Sequence, residues 1–167
     1  MKKKRILALF LAAVSCLSLA VSVSAANTVN RKATDFRDYD RTAWYAEAVS
    51  AAVDNGLLYG KSSTIIDPNG DMTRAEMAAI INRSFGCYKA ADISQYKGVS
   101  KSKWYYKDVA LAVQMGTYNG RSSSAMAPDS PITRQEAMTV VARALELDYD
   151  SYSKTDLSAF SDRSEIS

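Results

Sequence analysis

Slid against itself by sixty positions, the chain aligns without a gap from Trp44 to Phe85, and about a third of those positions are identical. Trp44-Tyr45 falls on Trp104-Tyr105, and Val49, Ala52 and Val53 fall on Val109, Ala112 and Val113. Gly56 and Gly60 fall on Gly116 and Gly120, and Pro68, Thr73, Arg74, Glu76 and Arg83 on Pro128, Thr133, Arg134, Glu136 and Arg143. A repeat of this length is a supersecondary unit too small to bury a core alone, so neighbouring units are expected to pack together. Each unit reads as two helices around a loop. Val49, Ala52 and Val53 keep helical spacing, with Gly56 as a natural stop. Turn residues fill Leu57 to Met72. Met77, Ile80, Ile81, Ser84 and Phe85, and then Ala137, Val140, Val141, Ala144 and Leu145, form the packing stripe of a second helix. The fold class is all-α, built from tandem helix–loop–helix repeats at 36–86 and 96–146. Linkers are expected at 26–35, 87–95 and 147–159. Phe160-Ser161-Asp162 matches Phe36-Arg37-Asp38, so residues 160–167 read as the start of a third copy cut short at Ser167.

The first 25 residues form a basic start, Met1 to Arg5, an apolar run and a small-residue cleavage site at Val23-Ser24-Ala25, which is a secretory signal peptide. The formal charge of +3 includes Lys2, Lys3, Lys4 and Arg5, so cleavage leaves −1. The basic pI is therefore no argument for a nucleic-acid partner. No membrane span is expected after cleavage. Cys16 leaves with the leader, and the single Cys87 permits no intrachain disulfide. There is no histidine. That excludes Ser-His-Asp and Cys-His catalysis and the usual zinc sites, so no cofactor and no metal site are expected.

Thr73 with Glu76, and Thr133 with Glu136, fit capping boxes at the start of each second helix. Capping does not require the intervening arginines, Arg74 and Arg134, and the helix dipole slightly opposes them. Beside unpaired backbone N–H groups, each guanidinium could hold a carboxylate or phosphate. Each could equally pair with an acidic residue of the neighbouring repeat. Trp44 and Trp104 could stack on a sugar face at a groove edge or anchor the first helices in the core.

These residues resemble the surface-layer homology (SLH) domain. The pattern comprises Phe36-Arg37-Asp38, Trp44, Gly56, Gly60, Pro68, Met72-Thr73-Arg74-Ala75-Glu76 and Arg83-Ser84-Phe85. The second copy supplies Trp104, Gly116, Gly120, Pro128, Ile132-Thr133-Arg134-Gln135-Glu136 and Arg143-Ala144-Leu145. The resemblance implies three units in a pseudo-threefold helical domain, exported to the cell surface. That domain would anchor its protein noncovalently to secondary cell-wall polysaccharide or a peptidoglycan-linked glycan, often pyruvylated, in grooves between units. Carried over by position, Arg74 and Arg134 would contact the ligand, with Trp44, Trp104 and Asp38 beside them. The family's loop Asp-Gly and Phe are replaced by Ser63-Thr64 and Ile66, and by Ser123-Ser124 and Met126. The second copy opens with Tyr96-Lys97-Gly98, without the aspartate.

The competing function is structural: self-association within a surface layer, with the arginines in ion pairs between units. A calcium module is disfavoured, because after Asp67-x-Asn69-x-Asp71 an EF-hand would need Gly at Met72 and Glu at Ala78. The repeats offer no recurring pair of facing acids for a glycosidase, so an enzyme would have to lie beyond residue 167. If Arg74 and Arg134 serve the ligand, replacing either with alanine should weaken glycan binding and barely change thermal stability.

Overall fold

The structure, a computed structural model, describes residues 31–148 and 158–165. The expected signal peptide, the expected linker as far as residue 30, residues 149–157 and the last two residues lie outside it. Among the described residues there are four α-helices: α1 (Ala46–Asp54), α2 (Arg74–Phe85), α3 (Tyr106–Gln114) and α4 (Arg134–Ala144). Short 3-10 turns occupy Ala33–Asp35 and Arg163–Glu165. There is no strand among the described residues, only isolated bridges between loops. The chain is all-α, with two helices in each sixty-residue copy.

Thr73 and Thr133 each accept the N–H of the glutamate three residues on, at 3.2 and 3.3 Å. Glu76 and Glu136 each accept the threonine N–H in return, at 2.8 and 2.9 Å. Both second helices therefore start from complete capping boxes. Their ends differ. α2 stops at Gly86 in the left-handed conformation, φ 73°, and the same position of the second copy is Glu146, φ 51°. A side chain there places Cβ against the neighbouring carbonyl. Glu146→Gly is therefore expected to stabilise the protein by about 1 kcal/mol, less the unfolded-state entropy of glycine, as read from urea unfolding midpoints. Gly60 is required for a second reason: besides φ 82°, a Cβ there would lie 2.5 Å from the Phe36 ring and 2.6 Å from the Ile65 carbonyl oxygen.

Packing does not follow the repeat boundary. The main core joins α2 of the first copy to α3 of the second, with Ala78, Ile81, Ile93, Tyr105, Val109, Ala112 and Met126 all buried. Within α2 the buried side chains are Arg74, Ala75, Met77, Ala78, Ala79, Ile81 and Asn82. The expected stripe is rotated, and Phe85 and Leu145 are exposed. The rest of the first copy forms a smaller cluster of Ala33, Phe36, Val53 and Ile66. Asp38 supports that cluster's loop by accepting the N–H groups of Ile66 and Asp67, at 2.9 and 2.7 Å. The Ile66 N–H is the largest influence holding its carboxyl below the ordinary range. The second copy, with Gly98 at that place, uses a different tie: the Tyr105 hydroxyl donates to Asp129 Oδ2 at 2.9 Å.

Candidate functional site

Among the described residues, a groove opens at the same place in each of the two copies. Groove one encloses about 530 Å³ and is lined by Tyr59, Gly60, Lys61, Glu76, Ile80 and Arg83, among others. Groove two, of about 240 Å³, is lined by Asn119, Gly120, Arg121, Glu136, Val140 and Arg143, each sixty positions on. The match arises because each copy sets its loop against the first and third turns of its own second helix. In groove one Lys61 donates to both oxygens of Glu76 at 2.8 Å. In groove two Arg121 reaches Glu136 with Nε at 3.2 Å and Nη2 at 3.3 Å.

A neighbouring copy completes each groove differently. Trp104, from the second copy, borders groove one. Arg74, from the first copy, borders groove two. The arginine and the tryptophan of the same motif set thus address different grooves. Trp104 is 59% exposed and Trp44 is 94% exposed. Neither anchors a helix in the core, and Trp44 lines neither groove. The core anchor of the pair is the tyrosine that follows: Tyr105 is buried, packed edge-on against Trp104.

Arg74 is only 6% exposed. Its Nη1 donates to Glu136 Oε1 at 2.9 Å and its Nε to the Met126 carbonyl at 3.1 Å. Its guanidinium lies 5.2 Å from the centre of the Tyr118 ring, whose hydroxyl donates to the Arg74 carbonyl at 2.8 Å. Burial pushes that phenol's pKa well up. The helix-start N–H groups beside it are engaged as well: Arg74 N–H donates to Ser130 O at 3.0 Å and Ala75 N–H to Pro128 O at 2.9 Å. At α2, the backbone donors expected to meet an anion therefore meet the next copy's loop. Arg74 sits in the seam between copies, so its replacement should affect stability, contrary to the sequence expectation. Arg134 is exposed at the start of α4.

The glutamates tie the grooves to this seam. Burial works to raise the Glu136 pKa, but the Thr133 N–H, Arg121 and Arg74 outweigh it and hold the carboxyl below 4.5. Glu76 is lowered too, with burial opposed by Lys61 and the Thr73 N–H. A depressed carboxylate pKa adds stability above the unfolded value and loses it as pH falls through the folded value. The melting temperature should therefore hold from neutrality to about pH 5 and drop below about pH 4. Thermal scans across that range check this, and Glu136→Gln should flatten the drop.

Sequence reasoning placed Arg83 and Arg143 in the repeat but gave them no role, and it passed over Lys61, Arg121 and Tyr59. The signal was available: a cation recurs at 61 and 121, and an arginine at 83 and 143. Among the described residues no group of three or more Cys, Asp or Glu side chains could hold a metal ion, and no helix is long and apolar enough to cross a membrane.

With these repeated grooves in view, the family is plain. The S-layer homology domain pattern matches residues 35–78 and 95–138, together more than half of the 167 residues. The chain belongs to the S-layer homology domain family. It is 32% identical over 80% of its length to the Surface-layer 125 kDa protein of Lysinibacillus sphaericus, of which it covers 11%. It is 28% identical over 86% of its length to an Endoglucanase of Bacillus sp. (strain KSM-635), covering 15% of it. It is 26% identical over 83% of its length to Exoglucanase XynX of Acetivibrio thermocellus, covering 13% of it. The chain thus spans a small fraction of the curated relatives it matches. The shared region is the repeat module, which is itself non-catalytic, and its family gives it an exported, cell-surface location.

Proposed function

We propose that this chain anchors an exported protein to the bacterial cell wall noncovalently, by holding secondary cell-wall polysaccharide in the grooves between repeats. The observation that carries this reading is the recurrence of one groove at the same place in both copies, with a cation at 61 and 121 and an arginine at 83 and 143. Groove one adds the exposed Trp104 at its rim, a flat apolar face suited to a sugar ring. A pyruvyl ketal on the polysaccharide would give the cations a carboxylate to grip. Arg134 and Trp44 are exposed at positions whose counterparts, Arg74 and Trp104, meet a neighbouring copy. A third repeat beginning at Phe160 would supply such a neighbour and close a pseudo-threefold domain.

Pull-down of the exported chain on purified wall polysaccharide, before and after chemical depyruvylation, is the direct test. Retention that falls sharply after depyruvylation is expected. Equal retention would remove the carboxylate from the mechanism and leave wall binding in place. No retention on either would end the anchoring reading.

One observation favours a second reading, in which the repeats mediate self-association: Arg74 does pair with an acidic residue of the neighbouring copy, as that alternative requires. Met138 of α4 and Leu145, just past its end, are also exposed. On that reading light scattering gives an oligomer and glycan has no effect on it. A monomer would count against it.

A further inference from the structure

The two grooves share a register but not a charge. Groove one sets two cations, Lys61 and Arg83, against three carboxylates, Asp67, Asp71 and Glu76. Groove two sets three guanidinium groups, Arg74, Arg121 and Arg143, against the single carboxylate of Glu136. Two of those three are committed to Glu136, Arg74 at 2.9 Å and Arg121 at 3.2 Å.

The third differs from its counterpart in the first copy. Arg83 is held in place: its guanidinium lies 4.0 Å from the centre of the Tyr59 ring, and Nη1 donates to the Leu57 carbonyl at 2.9 Å. In the second copy Asn119 stands where Tyr59 stands in the first. Arg143 therefore has no ring at that position, and it makes no ion pair with a carboxylate among the described residues. One difference, Tyr59 against Asn119, separates an arginine stacked into its own wall from one whose charge is left to the groove.

We propose that groove two is the anion-accepting groove of the pair, that Arg143 is the guanidinium that grips the ligand's carboxylate, and that Asn119 makes this possible by withholding the ring that immobilises Arg83. The assignment rests on the anchoring reading above and deepens it. It moves the ligand-gripping role from Arg74, which is committed to the seam, to a residue at the opposite end of the second helix. Groove one, with excess negative charge and Trp104 at its rim, is left to uncharged sugar.

Titration calorimetry on the exported chain tests this with two probes: a hexose methyl glycoside carrying a pyruvyl ketal, and its uncharged methyl ester. Arg143→Gln should weaken binding of the acid roughly ten- to a hundredfold, the range of a lost charge-assisted hydrogen bond, and leave the ester unchanged. Asn119→Tyr keeps every charge and should weaken the acid in the same direction by restoring the stacking partner. Because Asn119 is exposed, this variant keeps the test independent of folding damage at Arg143. Unchanged preference for the acid in both variants would overturn the assignment and leave anchoring intact. Should neither glycoside bind the unaltered chain, the same variants are compared on wall polysaccharide before and after depyruvylation, with the same two outcomes. Failure of the unaltered chain to bind the polysaccharide removes both readings together.

Discussion

Alanine in place of Glu136 should lower stability by about 2–3 kcal/mol, at or just under the low end for breaking a buried ion pair, since Arg74 is buried and Glu136 is partly exposed. The reason is what remains. Arg74 stays in the seam, 6% exposed, with its charge facing the Met126 carbonyl and the Tyr118 ring but no carboxylate. Glu136 also loses its half of the capping box at Thr133. The matching change in the first copy, Glu76→Ala, removes a cap and a pair with the half-exposed Lys61, and about 1 kcal/mol is expected. Urea unfolding of the two variants under identical conditions compares them directly. Equal losses would mean that the seam does not depend on the Arg74–Glu136 pair. Arg74→Met should be milder than Glu136→Ala, because the buried charge is the one removed, and the Glu136 left behind is partly exposed and still paired with Arg121.

Tyr105→Ala should cost about 3–5 kcal/mol, as for other large aromatic truncations in a core. Trp104→Ala, one residue earlier, should stay within about 0.5 kcal/mol of the parent, since Trp104 is largely exposed. Tyr105 is buried among Ile93, Val109 and Met126, and its hydroxyl is tied to Asp129 at 2.9 Å, so truncation leaves a void and cuts the tie to that loop. Thermal melts of the two variants, with glycan retention as the second readout, should show opposite defects: Tyr105→Ala unstable, Trp104→Ala stable but weakened at groove one. Comparable stability losses would place Trp104 in the core after all.

These two residues show what was legible in the sequence and what was not. The sixty-residue offset, the capping boxes and the helix positions follow from local rules: a threonine oxygen and a glutamate three residues on need only their own backbone to act. Contacts between copies obey no such rule. A self-alignment shows that Arg74 and Arg134 are equivalent, but not that the loop carbonyls of Pro128 and Ser130 cover the start of α2. For the same reason the Trp104–Tyr105 pair drew attention to its larger ring, while burial selected the smaller one. The cation at 61 and 121 needed only the recurrence of charge to be noticed, and its role became visible once the loop and helix faced each other. Asp38 is intermediate: its pairing with the N–H groups of Ile66 and Asp67 is a loop contact across about thirty residues, outside the reach of periodicity.

The placement of α2 in the core of the following copy separates the unit that was duplicated from the unit that folds. A gene segment cut at the sixty-residue period would keep the small cluster around α1 but strand α2 without α3. Exchange between surface proteins should therefore tolerate transfer of whole arrays and penalise transfer of one copy. The same interlock means that tension applied along the chain passes from copy to copy through side chains as well as through the backbone.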